Sequence, residues 1–209
     1  MPEITAIEPQ AKDKERCNIY VDGRFYCGMK LETVLRFRLK AGDHVEPDAL
    51  DAIQLENEKS QALDKAMTHL SATMKTEKQM RDFLKKKGYV DAVCGYVLDK
   101  LRGYGLVDDA AYCAQYVQSA GRGKGPRLIA AELYRRGAPK EEIEAALEGL
   151  QGEDGAARAV LEKYMRTRAH TRENLAKAYR HLLSKGFGYD AAKDALAAFG
   201  EDGDGEDGE

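Results

Sequence analysis

The residue types in this sequence that could bind a metal or act as nucleophiles are few and scattered. No two histidines or cysteines stand at the spacing of a metal site or a redox pair, because the patterns HxxxH and CxxC are absent. We therefore predict no metal site and no cofactor, and we interpret the cysteines as reduced thiols. The residues concerned are His44, His69, His170, His181, Cys17, Cys27, Cys94 and Cys113.

A carboxylate pair, Asp108-Asp109, is the other feature that could suggest catalysis. It stands directly before an amphipathic stretch, where Asp is typical of a helix N-cap and of a neighbour that compensates the helix dipole. The glycines of GRGKGP (121–126) lack both a preceding strand and the Lys-Ser/Thr pair of a phosphate-binding loop. We therefore predict no catalytic residues and a protein that is not an enzyme.

Basic side chains are the remaining candidates for chemistry, and their chemistry is the binding of anions. Lys and Arg outnumber Asp and Glu in the segments 75–87, 120–137 and 158–185. In the first segment the basic residues fall opposite Met80 and Leu84, which predicts an exposed basic stripe. Such a stripe could be merely solvated, but its recurrence favours an interface for a polyanionic or acidic partner. The predicted interface comprises Lys78, Arg81, Lys85, Arg122, Lys124, Arg127, Arg166, Arg168, Arg172, Lys177 and Arg180.

Charge and length limit the class of protein. The 209 residues contain 33 Lys and Arg against 36 Asp and Glu, and six of these acids lie in the last nine residues, EDGDGEDGE. The rest of the chain is therefore slightly basic, and the tail is expected to be disordered. Because no apolar run is long enough to span a bilayer and no signal peptide is evident, we expect a cytoplasmic protein that does not associate with membranes.

Glycine and apolar positions along the chain repeat every 49 residues. Gly88, Gly137 and Gly186 share this interval, and each follows a leucine by four residues. A fixed period of this kind predicts an array of one supersecondary unit. Further apolar positions keep the interval: Leu63, Tyr112 and Leu161; Met67, Tyr116 and Met165; Leu98, Leu147 and Leu196; Leu101, Leu150 and Phe199.

Each repeat is predicted to contain three helices. Thr76 with Gln79, Asp108 or Asp109, Gly125-Pro126 and Thr171 mark helix starts. Gly88, Gly137 and Gly186 are expected to end the second helices in the left-handed conformation. We assign structural roles to these three glycines, to Asp108 and Asp109, and to Tyr112, which shares a core-facing side with Tyr116. Lys87, Arg136 and Lys185 are interpreted as complements of helix C-termini.

Residues 1–46 have a different composition and predict a β-hairpin. Asp22-Gly23 between CNIYV and RFYCG is typical of a two-residue turn that needs positive φ at both positions. This turn pairs Val21 with Arg24 and Ile19 with Tyr26, so that Cys17 and Cys27 project to opposite faces. Pro47 then opens a helix towards Leu70. The predicted divisions are 1–46 (hairpin extension), 47–107 (first repeat with a lead-in helix), 108–152 (second repeat), 153–200 (third repeat) and 201–209 (acidic tail).

The segments GLVDDAAYCAQYV (105–117) and GRGKGPRLIAAELYRRGAPKEEIEAAL (121–147) resemble the RecX family, cytosolic bacterial regulators of the RecA recombinase. Cys113 stands where the family usually has Ala, and Lys75-Thr76 where it often has Arg-Ser. The resemblance implies an elongated, curved, mainly α array that lies, as a monomer, in the groove of the RecA–single-stranded DNA filament. There it would inhibit ATP hydrolysis, strand exchange and filament growth, with a place in recombination, DNA repair and the SOS response.

Two alternatives stay open at this stage. A helix, a glycine turn and a second helix could form a DNA-binding helix-turn-helix, but the helices after the glycines (89–101, 138–150, 187–199) are acidic or neutral. A helical-repeat scaffold for another protein partner is the second alternative. Direct contact of the basic residues with single- or double-stranded DNA is also compatible with the sequence.

Overall fold

The computed structural model describes residues 1–150 and 152–201, which contain three strands and ten helices. The mainly α fold predicted from the sequence, with three three-helix groups in tandem after an N-terminal sheet, is confirmed. The acidic tail lies outside the described residues apart from Glu201. The elements are β1 (Ile4–Pro9), β2 (Arg16–Val21), β3 (Arg24–Lys30), α1 (Leu31–Arg36), α2 (Pro47–Leu70), α3 (Glu77–Lys86), α4 (Asp91–Gly103), α5 (Asp109–Ala120), α6 (Pro126–Arg135), α7 (Lys140–Glu148), α8 (Glu153–Met165), α9 (Arg172–Ser184) and α10 (Tyr189–Glu201).

The chain forms two compact units. Unit 1 comprises Met1–Met74 and Met80–Leu106, and unit 2 comprises Lys75–Gln79 and the chain from Val107 onward. Unit 1 therefore holds the sheet, α1, α2 and α4, whereas unit 2 holds α5 to α10 and the beginning of α3. Within the described residues, no helix is both long enough and apolar enough to cross a membrane.

The predicted hairpin is present and carries a third strand. Asp22 (φ 48°) and Gly23 (φ 75°) both have positive φ, and Val21 pairs with Arg24 as predicted. The strand β1 pairs with β2, so the antiparallel order is β1-β2-β3. The inner face of this sheet packs on α1 and α2, and its fully buried residues include Ile4, Ile19 and Met29.

The predicted register beyond the turn is wrong by one residue. The pairing shifts between Ile19 and Tyr20, so that Ile19 lies opposite Cys27 rather than Tyr26. This irregularity leaves Tyr26 as the additional residue on β3, and an additional residue reverses the face of everything that follows it. Cys17 and Cys27 are consequently both buried in the same core instead of projecting to opposite faces. Both are free thiols, and burial raises the pKa of Cys27 to about 11.

The glycine turns between the second and third helices keep the 49-residue period. The helices α3, α6 and α9 end at Lys86, Arg135 and Ser184, and the next helices begin at Asp91, Lys140 and Tyr189. Gly88, Gly137 and Gly186 have φ of 89°, 82° and 86°, which confirms the predicted left-handed stops. In each turn the amide after the glycine donates to the carbonyl of Leu84, Leu133 or Leu182.

The buried positions follow the same period with one departure, and the start of α9 departs from the period as well. Leu84, Leu133 and Leu182 are fully buried, but Met67 is 46% exposed although its counterpart Met165 is buried. The helix α9 begins at Arg172, earlier than the period from α6 predicts, because Thr171 caps it by accepting a bond from the Asn174 amide (3.3 Å).

Candidate anion-binding surface

The starts of α3 and α6 are held by hydrogen bonds to the glycine turn of the following repeat, and we call each of these contacts a joint. The Thr76 hydroxyl donates to the Arg136 carbonyl (2.7 Å), directly before Gly137. Forty-nine residues later, the Gly125 amide donates to the Lys185 carbonyl (2.8 Å), directly before Gly186. Both joints lie in unit 2, so the start of a second helix is fixed against the turn of the following repeat.

The capping residues act as the sequence predicts, with one additional role. Thr76 and Gln79 form a reciprocal capping box, with bonds of 3.1 and 3.2 Å. Asp108 caps its own helix by accepting from the Ala111 amide (2.9 Å). Asp109 instead accepts from the Glu77 amide (2.9 Å), so it caps the beginning of α3. Burial is the main cause that raises the pKa of Asp109 above its ordinary value.

A polar network holds Tyr112 and Lys124 in the second repeat. The Tyr112 and Tyr116 rings are stacked, and the Arg136 guanidinium lies 4.5 Å from the Tyr116 ring centroid. Arg136 also donates to the Tyr112 hydroxyl (2.7 Å). Lys124 donates to both carboxylate oxygens of Glu132 (2.7 and 2.6 Å), which also accepts from Tyr116. The hydrogen bond from Lys124 is the main cause that lowers the pKa of Glu132.

The predicted basic residues of α3 differ in their contacts. Lys78 is exposed, and its aliphatic carbons pack beside Gly137. Arg81 is half-buried, and Lys85 forms an exposed ion pair with Asp91 at 2.9 Å. A pair of this kind is screened by water and stabilises the fold little, so Lys85 keeps the capacity to bind another anion.

In the second repeat, Arg122, Lys124 and Arg127 have three different environments. Arg122 is exposed, and among the described residues no side chain is bonded to its guanidinium. Lys124 is committed to half-buried Glu132. Arg127 lies over the Tyr189 ring at 5.0 Å, while its amide donates to the Gly186 carbonyl (3.2 Å). Only Arg122 is therefore fully available to a partner.

The predicted basic residues of the third repeat are all exposed. Arg166 and Arg172 have no hydrogen-bonded or ion-paired side chain among the described residues. Lys177 pairs with Glu173 at 2.7 Å, and the Arg180 guanidinium donates to the Ala176 carbonyl at 3.3 Å. Arg168 lies 3.9 Å from the Tyr164 ring centroid and donates to the Tyr164 carbonyl.

Two of the predicted basic residues meet in one cleft of unit 2. Arg122 and Arg168 line a cavity of about 510 Å³, together with Lys163, Lys185 and His181. These last three residues lie outside the interface that the sequence predicts. Lys185 was interpreted as a helix C-terminal charge and His181 as an isolated histidine. Within residues 1–150 and 152–201, no group of His, Cys, Asp and Glu could hold a metal ion.

Curated relatives align with nearly the whole chain. The regulatory protein RecX of Bacillus licheniformis is 33% identical over 204 residues, which is 94% of this chain and 77% of that protein. The regulatory protein RecX of Clostridium botulinum (strain Alaska E43) is 30% identical and aligns over 94% of this chain and 95% of its own. The chain belongs to the RecX family. Its Bacillus subtilis relative of the same name is 31% identical, with 94% and 76% coverage.

The RecX family models match the successive parts of the chain. The regulatory protein RecX N-terminal domain matches residues 2–46, and the first, second and third RecX three-helix domains match 62–101, 108–147 and 153–196. A crystal structure of regulatory protein RecX superposes with a TM-score of 0.70 at 29% identity, over 92% of this chain and 98% of that one. RecX from Lactobacillus salivarius, at 24% identity and a TM-score of 0.63 over 68% and 97%, shows the shared fold.

Proposed function

We propose that this protein is a non-enzymatic negative regulator of the RecA recombinase, acting in the cytoplasm. It binds in the groove of the filament that RecA forms on single-stranded DNA, and it restrains ATP hydrolysis, strand exchange and filament growth. The observation that carries this proposal is the alignment of 94% of the chain with proteins named regulatory protein RecX. The protein acts as a monomeric array of helices in that groove.

The distribution of the basic residues supports a polyanionic partner. Arg122, Arg166 and Arg172 are exposed and carry no counterion among the described residues. Cations of this kind gain favourable energy from nearby phosphates and carboxylates, and salt screens that gain. A filament of protein and single-stranded DNA offers both kinds of anion along one surface.

The decisive experiment measures the DNA-dependent ATPase of RecA on single-stranded DNA at increasing concentrations of this protein. The parent protein should inhibit, and added salt should weaken the inhibition. The variant Arg122→Glu/Arg166→Glu/Arg172→Glu should need a concentration about 10-fold higher or more to reach the same inhibition. Each charge reversal replaces an attraction to the anionic filament by a repulsion. Lys124 is left unchanged because its bond to Glu132 belongs to the fold.

A matched control carries the same change of charge elsewhere. Lys12, Lys40 and Lys193 are exposed, and Lys12→Glu/Lys40→Glu/Lys193→Glu should inhibit like the parent. Circular dichroism should show the same helical content in all three proteins. The proposed regulation is wrong if the parent protein does not inhibit. The proposal that these basic residues contribute to the inhibition is wrong if both triple variants inhibit equally.

A further inference from the structure

The cleft in unit 2 is lined by positive charge from three places in the fold. Arg122 comes from the loop before α6, Lys163 from α8, and Lys185 follows the end of α9. Arg168, just after α8, is the fourth cation. None of the described residues that line this cavity of about 510 Å³ is Asp or Glu. The cleft therefore concentrates positive charge without an internal counterion.

Aromatic rings form part of the same wall. His181 stacks on Tyr164 with ring centroids 4.4 Å apart and an interplanar angle of 24°. The Arg168 guanidinium lies 3.9 Å from the centroid of the same Tyr164 ring. Stacking fixes the guanidinium plane, so less conformational entropy is lost when this group binds an anion.

The titration of His181 reports the electrostatics of the cleft. Burial is the main cause that lowers its pKa below the ordinary value of 6.5, and the charges of Lys185 and Arg168 lower it further. Among the described residues, the other titratable groups that line the cavity with His181 are Tyr164, Lys163 and Arg122. Lys185 and Arg168 are thus both close enough for their charges to act on His181, and an anion bound between them would oppose that effect.

We propose that this cleft binds a phosphate group in the backbone of a single-stranded nucleic acid. A phosphate can accept hydrogen bonds from several directions at once, which suits cations that converge from a loop and two helices. A cavity of about 510 Å³ has room for one or two backbone units of a flexible single strand. The proposal goes beyond RecA regulation because it assigns an anion site that needs no RecA.

Binding is expected to take up a proton. The negative charge of a phosphate beside His181 favours the imidazolium form, so the pKa of His181 should rise when the site is filled. Since the pKa is depressed in the free protein, binding should strengthen as the pH falls from neutral through the range below 6.5.

The first test measures the binding of a fluorescent oligothymidylate by anisotropy in the absence of RecA. Arg122 and Lys163 are exposed, and no described side chain is bonded to either. The variant Arg122→Gln/Lys163→Gln should bind about 10-fold more weakly at low salt and reduce the slope of log K against log salt by about 1.4. The control Lys12→Gln/Lys40→Gln should bind like the parent. Equal binding by the two variants would overturn the proposal.

The second test follows the His181 ring proton by NMR, assigned with His181→Gln, at different pH values with inorganic phosphate and with the oligothymidylate. Both anions should raise the pKa of His181. A shift with inorganic phosphate but not with the oligonucleotide would overturn the nucleic-acid assignment. If polyglutamate is bound as tightly as the oligothymidylate and loses as much affinity in the variant, the cleft binds acidic protein segments instead. Because RecA is absent, failure here leaves the ATPase proposal intact.

Discussion

Alanine substitutions at the three turn glycines should have unequal effects on stability, although the three turns share one backbone conformation. A Cβ on Gly88 would meet no atom of the described residues within 4 Å. A Cβ on Gly137 would lie 2.6 Å from Cβ and 2.8 Å from Cγ of Lys78. On Gly186 it would collide with backbone N of Leu128 and lie 2.9 Å from Cα of that residue. The free-energy cost of placing alanine in the left-handed conformation is therefore common to all three positions. The collisions add to this cost at Gly137 and Gly186 only.

The expected losses in the free energy of unfolding follow from these contacts. Gly88→Ala should cost only the left-handed conformation, about 1–2 kcal/mol. Gly137→Ala adds overpacking against a side chain whose Cβ cannot rotate away, giving a total of about 2–4 kcal/mol. Gly186→Ala must displace the backbone at the start of α6 and weaken the bonds from Gly125 and Arg127 to that turn, giving about 4 kcal/mol or more.

The assay is urea unfolding followed by far-ultraviolet circular dichroism, with the free energy of unfolding extrapolated to water for each variant. Asparagine provides a second comparison because it tolerates the left-handed conformation better than alanine does. Gly88→Asn should recover part of the loss, whereas Gly186→Asn should not, because its Cβ still meets Leu128. Equal losses at the three positions, or the largest loss at Gly88, would refute the assignment of Gly137 and Gly186 to joints between repeats.

Two further predictions concern half-buried titratable groups. Asp109→Ala should destabilise the protein by about 1 kcal/mol through loss of the cap on Glu77, whereas Asp109→Asn keeps an acceptor and should lose less; equal losses in thermal unfolding would contradict this role. The folded-state pKa of His181 is depressed, so the unfolded chain binds its proton more readily and stability should fall as the pH drops from 6.5 through that lowered pKa. In His181→Gln this part of the pH dependence should disappear from urea midpoints measured across the window, and an unchanged slope would contradict the assignment.

The sequence predicted those features that depend on local backbone chemistry. The turn at Asp22-Gly23, the cap at Thr76 and the stop at Gly137 each need a residue type that few others can replace. The bulge at Tyr26 could not be predicted, because its position depends on which side chains the core accepts rather than on the turn. Without this bulge, the predicted register placed Cys27 on the face opposite Cys17, whereas both lie in the same core.

The candidate site was predicted only as a set of charges. Composition shows that 158–185 is basic, but not which cations have counterions. Lys124 and Arg122 are two residues apart, yet one is bound to Glu132 and the other is exposed in a cleft. The grouping of His181 with Lys163 and Arg168 depends on the packing of α9 beside α8, and sequence spacing gives no direct signal of it.

The open space at Gly88 has a consequence for how such a chain could gain or lose modules. Each joint in unit 2 connects the start of a second helix to a glycine turn further along the chain, so the contact has a direction. Gly88 has the turn, but in the part of the chain that the structure describes no atom lies within 4 Å of its Cβ position. A duplicated module inserted before the first repeat would therefore meet a turn that can already receive it. A module appended after the third would have to bring its own glycine, which makes lengthening by gene duplication easier at one end than at the other.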